Sequence, residues 1–144
     1  MSKRQARQVL AAVVLGGALA VAAVPGLPAV GQISPPSVLA VEVTDQATLV
    51  ARGAAVVVPV EVQCPSGATG FLNVQVTQRV GSRIATGTGG GEVACTGGEQ
   101  VVPVLVTAYD MAFRRGPAVA EANLFTCWYF CGEVTDSEVI EIRR

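Results

Sequence analysis

Apolar and polar residues alternate through most of the chain beyond residue 37, with the period of strands rather than helices. Val56, Val58, Val60, Val62 and Cys64 are apolar at every second position, with Pro59, Glu61 and Gln63 between them. Pro65-Ser66-Gly67 supplies a turn, after which Leu72, Val74 and Val76 alternate with Asn73, Gln75 and Thr77. Ala118, Ala120, Ala122 and Leu124 alternate with Val119, Glu121 and Asn123, and Ile140 and Ile142 share one side of a closing strand over 135–142. Shorter extended segments are expected at 38–43, 83–86, 93–95 and 101–108, with Gly87 to Gly91 as a loop. Pro59 and Pro103 interrupt two of these strands, each within Val-Val-Pro-Val. Each therefore marks a bulge or a side without a neighbour, because proline has no ladder donor.

No stretch carries a 3.6-residue period. Seven or eight short, turn-punctuated strands predict an all-β domain: an immunoglobulin-like antiparallel sandwich. Residues 1–37 read differently. An uncharged run from Val9 to Val24 follows Lys3, Arg4 and Arg7 and stops at Pro25-Gly26, the layout of a signal peptide. Ala20-Val21-Ala22 and Ala29-Val30-Gly31 both suit cleavage, and Pro25 and Pro28 favour the later one by ending the signal helix first. The expected organisation is a signal peptide at 1–31, an irregular leader at 32–37 and the β domain at 38–144. An uncleaved anchor is the competing reading, since a span needs about 20 apolar residues. Secretion to the extracellular space without a stable membrane anchor is the expectation.

Charge and composition narrow the chemistry. Of the ten basic residues, Lys3, Arg4 and Arg7 fall in the expected signal peptide, which leaves seven arginines scattered among eleven carboxylates, and no lysine. A mildly acidic chain of this kind lacks the basic footprint of a nucleic-acid binder. The sequence has no histidine, which removes Ser-His-Asp and Cys-His catalysis, and the missing lysine removes Schiff-base and Ser-Lys chemistry. A non-enzymatic protein without metal or cofactor is expected. Glu133, Asp136, Glu138 and Glu141 lie close in sequence, but Asp136 and Glu138 share one face of a strand, which reads as solvated. The glycine run precedes no helix, so it does not form a phosphate cradle.

Cys64, Cys95, Cys127 and Cys131 all lie in the expected exported part, where two disulfides should form. Four cysteines allow three connectivities. Strand order favours Cys64 with Cys95 and a small ring from Cys127 to Cys131, while Cys64 with Cys127 resembles the inter-sheet bridge of immunoglobulin domains. Zinc is disfavoured, because paired C-x-x-C spacing and histidine are both missing.

With the signal peptide, the Cys64-Pro65, Ala118 to Ala122 and Cys127 to Gly132 elements resemble small secreted immunoglobulin-like domains of uncharacterised function from high-GC Gram-positive bacteria. That resemblance implies a sandwich and no known activity. The chain is more distantly similar to the neocarzinostatin-type apoproteins, exported sandwiches with a short disulfide late in the chain, though its first cysteine pair is spaced more widely. Small bacterial subtilisin inhibitors also share the size and the two disulfides, but not the reactive-site pattern after a cysteine at Cys95-Thr96-Gly97.

The leading candidate surface is Cys127-Trp128-Tyr129-Phe130-Cys131, which holds the only tryptophan and one of the two tyrosines. A ring this tight cannot bury three aromatic side chains at once, and Trp and Tyr are favoured contact residues. The competing reading is that one ring folds back to cap the domain. Arg114-Arg115 reads as a solvated turn, with an anion site as its alternative. The functional expectation is a secreted binding or structural module whose aromatic loop contacts an extracellular protein, glycan or small apolar ligand. A protease inhibitor or a small-ligand-binding sandwich is the alternative.

Overall fold

The computed structural model describes residues 38–144. The expected signal peptide, its cleavage site and the leader at 32–37 lie outside the described residues. Eight strands follow in chain order: β1 (Ala40–Val43), β2 (Gln46–Val50), β3 (Ala55–Gln63), β4 (Thr69–Val80), β5 (Arg83–Ala94), β6 (Glu99–Ala108), β7 (Gly116–Cys127) and β8 (Cys131–Arg143). A single 3-10 turn, Ala51–Gly53, joins β2 to β3.

These strands do not form the expected antiparallel sandwich. Pairing runs β3-β2-β8-β7-β4-β5-β6 and returns from β6 to β3, which closes a seven-strand barrel, while β1 shares with β2 the same edge of β3. One contact in the ring, β2 with β8, is parallel. Closure depends on β5. Its glycine run is not the expected loop but the middle of a twelve-residue strand that pairs with β4 along its whole length. A Cβ at Gly87 would lie 2.3 Å from the Thr107 carbonyl oxygen, and one at Gly89 would lie 2.0 Å from that of Leu105. Bare backbone thus lets β5 bend onto β6, where Gly87 faces Ala108 and Thr88 faces Thr107. Reading the glycines as a loop split this strand in two and left the barrel no wall with which to close.

The alternation that predicted the strands also fills the barrel. Val56, Val58, Val60 and Val62 of β3 are buried, as are Leu72, Val74 and Val76 of β4 and Ala118, Ala120, Ala122 and Leu124 of β7. Small faces large across the β4–β7 pairing, with Val74 opposite Ala122 and Val76 opposite Ala120. Phe113, from the β6–β7 connection, plugs one end and is fully buried. Strand β2 escaped the sequence reading, although Ala47 turns into the core.

The carboxylate stretch of β8 is not simply a solvated face. By strand parity Asp136 lies on the side of Ile140 and Ile142, and its Oδ2 accepts the backbone N–H of Val43 at 2.8 Å. That bond ties the end of β1 to β8. Thr44 then turns the chain, donating its N–H and its hydroxyl to the Pro59 carbonyl.

Candidate functional site

The cysteines pair as strand order favours. Cys64 joins Cys95 with Cα atoms 5.2 Å apart, and Cys127 joins Cys131 across the mouth of the β7–β8 hairpin, where the two residues are register partners. The Cys64–Cys127 alternative is excluded. Two formed disulfides suit an oxidising, extracellular setting.

Closing the hairpin at Cys127 and Cys131 leaves three residues to turn the chain, and all three are aromatic. The Trp128 N–H reaches the Phe130 carbonyl at 3.3 Å, which fixes a tight loop. Exposure rises along it: Trp128 is 57 % accessible, Tyr129 85 % and Phe130 90 %. Trp128 leans on the Pro65-Ser66-Gly67 turn, and a Cβ at Gly67 would sit 3.6 Å from its ring. Tyr129 meets Trp128 edge to face, with centroids 5.7 Å apart. The competing expectation of a core cap therefore fits Trp128 in part and the other two rings not at all. Between the loop and the neighbouring chain lies a groove of about 430 Å³, walled by Leu39, Pro65, Trp128, Tyr129, Phe130 and Gly132. Thr126 also borders it, but its hydroxyl donates to the Thr69 carbonyl, and the groove is mainly apolar.

Arg114 and Arg115 lie at the opposite end of the barrel, so the sequence-predicted binding residues do not form one site. The β2–β3, β4–β5 and β6–β7 connections all emerge at this end, together with the last residue of β8. Here Arg52, Arg114, Arg115 and Arg144 join Leu49 and Phe113 around an open cleft of about 820 Å³. Arg79 and Arg83 flank the adjacent β4–β5 turn, and Arg143 ends β8. All seven arginines of the domain thus occur at one end. They are scattered in sequence only, and Arg52 and Arg144 are members of the cluster that sequence reasoning missed.

The backbone beneath this cleft is held from inside. Gln78 is only 3 % exposed; its Oε1 accepts the Arg114 N–H and its Nε2 donates to the Arg114 carbonyl, both at 2.8 Å. The Phe113 N–H donates to the Gly53 carbonyl at 2.8 Å. Ala51 and Arg52 sit in the left-handed region, at φ 48° and 57°, a conformation that costs a non-glycine residue free energy unless its surroundings impose it. The residue that follows them is held against Phe113: a Cβ at Gly53 would lie 2.2 Å from the Phe113 carbonyl oxygen. No family model matches the chain and no curated protein matches it, so a functional reading rests on the geometry of these two ends.

Proposed function

We infer that the protein is a secreted, non-enzymatic binding module that engages its partner through the Cys127–Cys131 aromatic loop. The observation that carries this reading is the near-complete exposure of Tyr129 and Phe130 beside an apolar groove. Burying two large rings would gain several kcal/mol, and nothing in the fold itself collects that gain. The disulfide fixes the loop before a partner arrives, which lowers the ordering cost of association. Polar groups in the groove are few, which favours an apolar side chain of another protein, or a small apolar ligand, over a glycan. The signal-peptide layout and both disulfides support an extracellular setting.

Trp128 is the sole tryptophan, so its emission reports on this loop alone. Fractionated culture supernatant should contain a component that shifts that emission and is captured by the immobilised protein. Trp128→Ser with Tyr129→Ser should lose the capture while cooperative thermal unfolding is kept. Equal capture by the double variant would reject the loop as the contact surface, and loss of cooperative unfolding would reassign it as a structural cap.

A further inference from the structure

We propose that the arginine end of the barrel is a second binding site, one that takes a short polyphosphate segment of two or more linked phosphate groups. Two connections separated in sequence and the last residue bring four arginines to the lining of one cleft, and no acidic side chain lines it. Asp110 and Glu141 are the acidic residues closest to this end by strand position, in the β6–β7 connection and on β8. Four cationic residues around one concave surface raise the local positive potential, and an entering anion lowers it.

The chemistry of the cations points to phosphate. All seven are arginine, whose planar fork matches the oxygens of phosphate two at a time, whereas lysine would supply only a point charge. A phosphate group carries about −1.5 to −2 charge and three acceptor oxygens, so two linked groups balance four guanidiniums and a single group does not. The site is also built in advance. Buried Gln78 pins the backbone of Arg114, the Gly53–Phe113 hydrogen bond anchors the residue next to Arg52, and the ligand therefore meets a fixed backbone. A long nucleic acid fits less well, because the carboxylates on the rest of the barrel would repel chain extending beyond the cleft.

The test is titration of the protein with inorganic tripolyphosphate, monophosphate and poly-glutamate, followed by sedimentation with phosphatidylglycerol vesicles, all at low and physiological salt. Tripolyphosphate should bind at least about tenfold more tightly than monophosphate, and raised salt should weaken it. Arg52→Ala with Arg115→Ala should weaken tripolyphosphate at least about tenfold with an unchanged melting temperature, since both side chains reach solvent. Arg115→Lys should weaken it measurably as well, because the charge remains and the fork is lost. Equal affinity for tripolyphosphate and monophosphate would overturn the proposal, as would full binding by the double variant. Equal affinity for poly-glutamate would reduce the site to unspecific charge attraction. Vesicle binding without tripolyphosphate binding would assign this end to a membrane surface instead.

Discussion

Pro59 and Pro103 stand directly opposite one another across the β3–β6 pairing. The Pro59 carbonyl accepts from Thr44 on the far side of β3, so its polar groups point away from β6, and neither proline removes a bond from this pairing. Pro59 faces the kink between β1 and β2, where no ladder donor is required. Pro103 faces the seam between β5 and β6, which is joined by only two residue pairs. The sequence offered a bulge or an absent neighbour; an interrupted neighbour is what both prolines have.

Pro103→Val should leave the monomer's stability within about 1 kcal/mol, because no existing bond is lost. It would, however, add a free N–H to a strand edge that already exposes Val101 and Leu105. Light scattering over a concentration series should show association that the parent protein lacks. Identical scattering would mean that the seam is closed to incoming strands.

The glycines of β5 should not be equivalent. Gly89→Ala drives a Cβ into the Leu105 backbone and should cost on the order of 1 to 3 kcal/mol or more. Gly91→Ala meets nothing within 4 Å and should stay within about 0.5 kcal/mol. Urea denaturation of the two variants reads the difference directly, and equal losses would argue against close apposition of β5 and β6.

The two disulfides should divide stability from binding. Replacing Cys64 and Cys95 by Ala should cost roughly 2 to 4 kcal/mol, because that bridge closes a loop with a sequence separation of 31. Opening the bridge between Cys127 and Cys131, with a separation of 4, should cost less in melting temperature and more in partner capture, since the aromatic loop must then be ordered on binding. Calorimetry on both double-alanine variants separates the contributions.

Gln78→Leu should destabilise the barrel by about 2 to 4 kcal/mol, since it strands both the N–H and the carbonyl of Arg114. Hydrogen exchange at Arg114 should accelerate more than at residues of the aromatic end. A uniform change along the chain would mean that Gln78 supports the core in general and not this loop.

Much of the barrel wall was legible in the chain. Strict alternation in β3, β4 and β7 identified the buried face correctly, because a one-residue slip would have exposed Val56, Val58, Val60, Val62, Val74 and Val76 together. Closure was not legible. Its cause is contact between Gly87, Gly89 and the backbone of β6, and glycine in isolation reads as a turn former. That the disulfide ring could not bury all three aromatics was legible from covalent constraint, but which of them stays most exposed was not, because it depends on the Pro65-Ser66-Gly67 turn on which Trp128 leans. The arginine cluster was invisible for a different reason. Arg52, Arg114 and Arg144 share no local pattern, and only the up-and-down course of the strands returns them to the same end.

That sorting of charge has a consequence for how the molecule meets a surface. The excess of carboxylates gives the domain a negative net charge, yet every cation sits at one end, so the barrel carries a lengthwise electric dipole. Tilted strands of twelve residues separate the ends by roughly 30 Å, several times the screening length of about 8 Å at physiological ionic strength. Far from an anionic surface the field is screened and the molecule feels little of its net charge. Within a screening length, the field acts on the nearest end alone, so an approach led by the arginines is attracted and any other is turned away. A protein held in that pose would present Trp128, Tyr129 and Phe130 outward, facing whatever arrives from solution.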